Sequence, residues 1–96
     1  MDKKVAEHAA ETLKVMAHPF RLQIVELLQA KEMCVGDIME ALTSKQAITS
    51  QQLNMMKDKG VLNCRHEGTR VYYYVENKNV IKLLHCFDDQ SKRKRG

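Results

Sequence analysis

The side chains best suited to a chemical role lie in a short run near the middle of the chain. The run offers amide, hydroxyl and ammonium groups, with one small alanine among them, at Lys45, Gln46, Ala47, Ser50, Gln51 and Asn54. Glutamine can pair with adenine through two hydrogen bonds, whereas serine and lysine more often contact phosphate. We therefore predict that Gln46 and Gln51 read DNA bases and that Lys45 and Ser50 contact the DNA backbone.

Two arginines follow this run and offer a matching chemistry. Arg65 and Arg70 stand on either side of Glu67-Gly68-Thr69, where the glycine favours a tight hairpin. Guanidinium groups near the tip of a hairpin can contact phosphate or enter a minor groove. We predict that both arginines contact DNA. The alternative, that each is an ordinary exposed arginine on a strand, stays open.

These residues need a scaffold, which apolar spacing and the positions of glycine and proline predict. Helices are expected over residues 4–17, from Pro19 through Leu28, over about 35–42 and over about 45–59; strands over 61–66 and 70–75; and a last helix over about 78–87. Ser44 is the expected N-cap of the fourth helix, and Gly60 ends it. Helical spacing turns Thr49, Leu53 and Met56 inward, and the apolar second helix is expected at the centre of the core.

The predicted fold is therefore mainly α with a β-hairpin wing: a winged helix-turn-helix in the order helix–helix–helix–helix–strand–strand–helix. Residues 1–89 are expected to form one domain, and residues 90–96 a disordered basic tail. Because so short a chain has a small core, apolar stripes on the first and last helices predict a homodimer. The residues expected in that interface are Val5, Ala9, Leu13, Val80, Ile81, Leu84 and Phe87. The alternative is that the two helices pack on each other within one chain.

Charge supports a DNA-binding surface only through its distribution. The net charge of +4 is matched by Lys92, Arg93, Lys94 and Arg95, so the rest of the chain is neutral. Residues 45–75 nevertheless carry five basic against two acidic side chains, which places the positive surplus in the predicted reading segment. An imbalance of this size also arises by ordinary scatter, so the charge is secondary to the motif.

The sequence has no membrane-spanning segment, no disulfide pattern and no set of catalytic residues. No apolar run approaches the roughly 20 residues that cross a bilayer, so no membrane partner is expected. Cys34, Cys64 and Cys86 are odd in number and widely spaced, which fits reduced thiols in the cytoplasm rather than a disulfide framework. An enzyme would need a nucleophile with its base or a complete metal set, and the sequence holds neither.

At three separated places the sequence resembles the ArsR/SmtB family of bacterial winged-helix repressors. The stretches are Leu13 to Leu28, Met33 to Ile38 and the wing from Gly68 to Tyr74. The resemblance implies a dimeric, sequence-specific repressor of a palindromic operator, with the fourth helix in a major groove and the wing on the flanking backbone or minor groove. The alternative function is a winged-helix module that binds protein and not DNA.

The resemblance also implies places where a signal could be sensed. Cys34 and Asp37 stand at positions of a family metal site, and His8 of a partner chain could complete a zinc ligand set; the simpler interpretation is a buried thiol and a dipole-complementing carboxylate. We expect no resident metal or cofactor. Cys34 at a helix N-terminus could instead be an oxidisable thiol. Cys86 could resolve it or pair with Cys86 of a second chain, whereas Cys64 is expected to pack. A regulator without any small effector remains the third possibility.

Overall fold

The chain folds in the predicted order of five helices and one hairpin. In the computed structural model, which describes residues 1–95 and the side chains of residues 1–88, the elements are α1 (Lys3–Met16), α2 (Pro19–Ala30), α3 (Val35–Leu42), α4 (Gln46–Asp58), β1 (Leu62–Glu67), β2 (Arg70–Val75) and α5 (Asn79–Arg95). The predicted fold class is confirmed. The last helix, predicted to end near residue 87, continues to Arg95. That residues 90–96 form a tail separate from the domain stays a prediction.

The first two helices begin where local chemistry favours it. Asp2 is the N-cap of α1, and its Oδ1 accepts a hydrogen bond from the Val5 backbone N–H at 2.9 Å. Pro19 occupies the first position of α2, where the missing N–H of proline costs nothing. The helix boundary at His18-Pro19 is therefore the one that the sequence predicts.

The core is centred on α2, as the sequence predicts. Ile24 and Val25 are fully buried, and α1 and α5 both pack against this helix. Leu28 of α2 and Val61, just before β1, are buried with them, and every remaining element adds buried apolar residues: Val15, Met16, Ile38, Leu53, Met56, Leu62, Tyr73, Val75 and Val80. The core thus fixes the relative positions of α4 and the wing, which carry the predicted site.

The hairpin is tighter than predicted. Antiparallel pairing runs from Leu62 opposite Val75 to Glu67 opposite Arg70, so Glu67 belongs to the strand and the loop is only Gly68-Thr69. Gly68 has a φ of +62°, the positive value that the first position of a type II′ turn requires. The wing is therefore a regular two-stranded ribbon.

A short third segment joins this ribbon. The backbone N–H of Tyr73 donates to the Met33 carbonyl at 2.8 Å, and the Met33 N–H donates to the Tyr73 carbonyl at 3.2 Å. The connection between α2 and α3 is thereby fixed along β2. The sequence gives no sign of this contact, because a single pair of residues carries no strand periodicity.

The turn between α3 and α4 corrects one prediction. Ser44 is not the N-cap: Lys45 is, and its side chain makes no capping bond. The Thr49 hydroxyl donates to the Lys45 carbonyl at 2.7 Å and lies 2.7 Å from the Ser44 hydroxyl. Because a hydroxyl has a single proton, Ser44 must be the donor to Thr49. Ser44 therefore satisfies a buried threonine and joins the turn to α4.

Among the described residues, none of the helices combines the length and hydrophobicity that crossing a bilayer needs.

Candidate nucleic-acid interface

Helix α4 divides into a buried side and an open side. Thr49, Leu53 and Met56 are fully buried against the core, as predicted. Of the residues predicted to contact DNA, all but one are exposed and Ser50 is half-buried: Lys45, Gln46, Ala47, Ser50, Gln51 and Asn54. The structure therefore places these six residues on the open side of α4 or at its start, away from its buried side.

One residue of this surface was missed by sequence reasoning. Ile48 is 54% exposed, although its neighbour Thr49 is fully buried. An isoleucine in a helix is ordinarily expected in the core, and only its position between Ala47 and Thr49 could have indicated otherwise. Its side chain adds an apolar group, beside Ala47, to a mostly polar surface.

A hydrogen bond to α2 adds to the core packing that orients α4. Arg21 Nε donates to Oε1 of Gln52 at 2.8 Å, and Arg21 Nη1 donates to the Val15 carbonyl at the end of α1 at 3.4 Å. All three groups are partly buried, where such bonds are less exposed to competition from water. One arginine thus joins α1, α2 and α4.

Arg65 was predicted to contact DNA, and in the structure its guanidinium forms ion pairs with two carboxylates of its own chain. Its Nε lies 2.5 Å from Oε1 of Glu32, and its Nη1 lies 2.6 Å from Oε2 of Glu67. The guanidinium carbon also sits 4.7 Å from the centre of the Tyr72 ring, in cation–π geometry. Hydrogen bonds to Glu67 and Glu32 raise the pKa of the Arg65 guanidinium. Its positive charge is thus balanced within the wing.

Arg70 lies on the other side of the wing tip and, unlike Arg65, forms no ion pair with a described carboxylate. It is exposed and directly follows the Gly68-Thr69 turn. Its cross-strand partner Glu67 is bonded to Arg65, and no carboxylate with a described position lies within ion-pair distance of Arg70. Of the two predicted wing contacts, Arg70 is therefore the one whose charge is available.

The cysteines lie at separate places. Cys34 is half-buried at the N-cap of α3 and shares a shallow depression with Asp37 and Arg70. Cys86 is exposed on α5, and Cys64 is half-buried against the core, as expected for a packing residue. All are free thiols within the chain.

The residues considered for zinc do not meet within one chain. His8 lines a groove between α1 and α5, whereas Cys34 and Asp37 lie beside the wing. Among the side chains that the structure describes, no three His, Cys, Asp or Glu residues are grouped as metal ligands. A ligand set of these residues would therefore require His8 from another chain.

The terminal helices leave apolar surface open. Val5 on α1 is 51% exposed, Leu13 on α1 is 54% exposed, and Phe87 on α5 is 59% exposed. Together with Ala9, the first two line a mostly apolar groove of about 320 Å³ between α1 and α5. The structure places Val80, also expected in the interface, in the core of its own chain at 1% exposure, while Ile81 and Leu84 are half-buried.

Comparison with known proteins identifies relatives of this arrangement. The profile of a family described as bacterial regulatory protein, arsR family, matches residues 18–63. The transcriptional repressor PagR of Bacillus anthracis is 43% identical over 82 residues, which span 81% of this chain and 82% of PagR. The crystal structure of PagR superposes with a TM-score of 0.82 at 37% identity, covering 90% of this chain and 99% of that one.

Two further relatives have the same architecture. The transcriptional activator HlyU of Vibrio cholerae is 38% identical over 88 residues, spanning 88% of this chain and 81% of HlyU, and its structure gives a TM-score of 0.83 with 94% and 97% covered. The homodimeric winged helix-turn-helix DNA-binding domain of Mb0332 from Mycobacterium bovis gives a TM-score of 0.82 at 30% identity, covering 98% of this chain and 89% of that one.

Proposed function

The chain belongs to the ArsR family of bacterial regulatory proteins, and from that premise we propose that it binds a palindromic operator as a homodimer and represses transcription. Its role is that of a DNA-binding transcriptional regulator and not of an enzyme. The observation that carries the proposal is the exposed polar side of α4, on a helix that is held by its buried side and by the bond between Arg21 and Gln52. A helix of this diameter fits the major groove of B-DNA.

Within that groove the side chains divide by chemistry. Gln46 and Gln51 are exposed amides and would read adenine through paired hydrogen bonds. Ile48 and Ala47 would contact thymine methyl groups, because these apolar side chains cannot form hydrogen bonds with other base edges. Lys45 and Ser50 would contact phosphate at the helix margin. The preferred half-site is thus expected to be rich in A·T pairs.

Dimer formation is supported by the exposed apolar residues of the terminal helices. Val5, Leu13 and Phe87 would lose water contact if α1 and α5 of two chains packed together. The Mb0332 domain, which resembles this chain over nearly its whole length, is a homodimer. A two-fold dimer presents two α4 helices, which is the reason to expect a palindromic operator.

The input to the repressor is proposed to be a thiol signal at Cys34. This cysteine and Arg70 line the same depression, so an added negative charge on Cys34 would lie beside the wing's available cation. The test is operator affinity before and after mild oxidation, in wild type and in Cys34→Ser, with Cys86→Ser in parallel. Zinc titration of the same samples tests the metal alternative. An oxidant response retained in Cys34→Ser would contradict the proposal.

The experiment that tests DNA binding itself compares duplexes at several salt concentrations. Wild type is expected to select one palindromic sequence from a random pool and to bind it more tightly than unrelated duplex. The matched control replaces Lys92, Arg93, Lys94 and Arg95 with glutamine, because a basic tail alone can give non-specific retention. If the control variant selects no sequence and binds no duplex, DNA binding by the winged helix is contradicted and the protein-interaction alternative is favoured.

A further inference from the structure

We propose that Glu32 limits the contribution of the wing to DNA binding by holding the Arg65 guanidinium away from phosphate, with Glu67 as its second anchor. Glu32 is a positioning residue in this role, since it acts through Arg65. The inference rests on the proposed function. It concerns a residue on the connection between α2 and α3, outside both the reading helix and the hairpin.

The first support is the restraint on Arg65, which is bonded at two of its three guanidinium nitrogens. Two of its donor nitrogens, Nε and Nη1, are bonded to carboxylate oxygens from two different parts of the chain, and its flat face lies over Tyr72. A guanidinium binds phosphate best through two adjacent N–H groups in one plane. Glu32 occupies Nε and Glu67 occupies one N–H of Nη1, so a two-bond contact through the Nε edge of the guanidinium requires phosphate to displace Glu32.

The second support is the way in which Glu32 is placed. Arg65 pairs with Tyr72 across the hairpin, and Met33 pairs with Tyr73 on the other side of β2. Paired residues lie on the same face of a sheet, and successive residues of a strand lie on opposite faces. Met33 therefore shares one face with Tyr73, and Glu32 shares the opposite, outer face with Tyr72 and Arg65. The backbone bonds between Met33 and Tyr73, at 2.8 and 3.2 Å, hold the segment there. Glu32 is thus positioned by the fold and does not depend on a chance side-chain encounter.

The third support is electrostatic. Arg65, Glu32 and Glu67 together carry a charge of about −1 at neutral pH, which offsets the positive charge of Arg70 opposite Glu67, so the wing tip offers phosphate no net positive charge. All three side chains are about half exposed, and exposed ion pairs are weak in water, so phosphate can replace a carboxylate at low salt. The unbound wing therefore offers Arg70 at once and Arg65 only after this exchange.

The test is Glu32→Gln, which keeps the size of the side chain and removes its charge. We expect affinity for random duplex at about 0.1 M salt to rise about threefold to tenfold, and the salt slope to steepen by about 0.9, the value for one more phosphate contact. Glu26→Gln is the matched control, because Glu26 is exposed on α2 and makes the same change in net charge. The control should alter affinity less than twofold.

A double-mutant cycle separates an effect through Arg65 from a general charge effect. In an Arg65→Ala background, Glu32→Gln is expected to change neither affinity nor salt slope appreciably. Without DNA, the NMR signal of the Arg65 Nε–H is expected to be sharp in wild type and to broaden through faster exchange with water in Glu32→Gln. Unfolding midpoints of all the variants check that they are folded.

The outcomes are distinct. If wild type binds DNA and Glu32→Gln leaves affinity and slope unchanged, or if its gain persists in Arg65→Ala, Glu32 does not act through Arg65 and the inference is wrong while the proposed function stands. If wild type binds no duplex at any salt concentration, the proposed function fails and this inference with it.

Discussion

Arg21 on α2 and Gln52 on α4 are joined by a hydrogen bond of 2.8 Å, whereas the adjacent Gln51 is exposed to solvent. Two neighbouring glutamines therefore have different roles. Gln52 bonds to α2 and helps to hold α4 in place, while Gln51 is exposed and is free to contact a base.

This difference predicts that one of two similar mutations lowers stability and the other changes DNA recognition. Gln52→Ala leaves the partly buried Arg21 Nε without its acceptor and should lower the free energy of unfolding by about 1–2 kcal/mol. Gln51→Ala should change stability by less than about 0.5 kcal/mol but relax the base preference. Urea denaturation and operator selection measure the two effects. Equal losses of stability in both variants would contradict the assignment.

Ile48 predicts sensitivity to a single methyl group on DNA. Replacing a contacted thymine by uracil removes only the C5-methyl, and at about 0.8 kcal/mol per buried carbon the affinity should fall about threefold to fourfold. In Ile48→Ala the preference for thymine over uracil should shrink. Titration of operators with uracil at successive positions measures this, and uracil outside the half-sites is the control. A preference unchanged in Ile48→Ala would assign the methyl contact to another residue.

Two glycines predict changes of stability in opposite directions. Gly36 lies in α3, and an added Cβ would meet no atom within 4 Å, so Gly36→Ala should stabilise the fold by about 0.5–1 kcal/mol. Gly68 has a φ of +62°, which costs an L-residue about 1–2 kcal/mol, so Gly68→Ala should destabilise it by that amount. Urea denaturation of both variants beside wild type measures the difference. A destabilising Gly36→Ala would show that this helix position is more crowded than the structure indicates.

The exposure of Leu13 predicts that a mutation which prevents dimer formation also weakens DNA binding. Because it is 54% exposed in the single chain, Leu13→Glu should leave the chain folded but prevent two α1 helices from packing together. Sedimentation equilibrium should then report a monomer, and operator affinity should fall at least tenfold. Gln23→Glu, at an exposed position on α2, is the charge-matched control and should remain dimeric. A dimeric Leu13→Glu would exclude the α1 face from the interface.

Tyr73 predicts a loss of stability at alkaline pH. Burial raises the pKa of its phenol above the ordinary value of 10. At a pH between the two pKa values, the phenol has lost its proton in the unfolded chain but keeps it in the folded chain. The stability that this pKa difference provides is therefore complete below about pH 10 and is lost as the pH rises further. Urea midpoints between pH 8 and 11 measure this. Tyr73→Phe should reduce the fall of the urea midpoint above about pH 10. If the variant shows the same fall as wild type, a group other than Tyr73 causes it.

Much of the fold could be predicted because it depends on local patterns. Pro19 begins α2, Gly60 ends α4 with a positive φ, and the inward set Thr49, Leu53 and Met56 follows from helical spacing alone. The outward residues of α4 follow from the same spacing. Local propensity was misleading at Ser44, because its hydroxyl bonds to Thr49 and does not cap the helix.

The tertiary structure decided which of the predicted contact residues are free to act. By itself the sequence determined the element order, the core face of α4 and two candidate arginines at the wing, because backbone preferences and hydrophobic periodicity are local. It could not determine that Arg65 is bonded to Glu32, or that Arg21 is bonded to Gln52, because these partners are 33 and 31 residues apart. Such side-chain bonds leave no periodic signal and form only after the core has brought distant elements together.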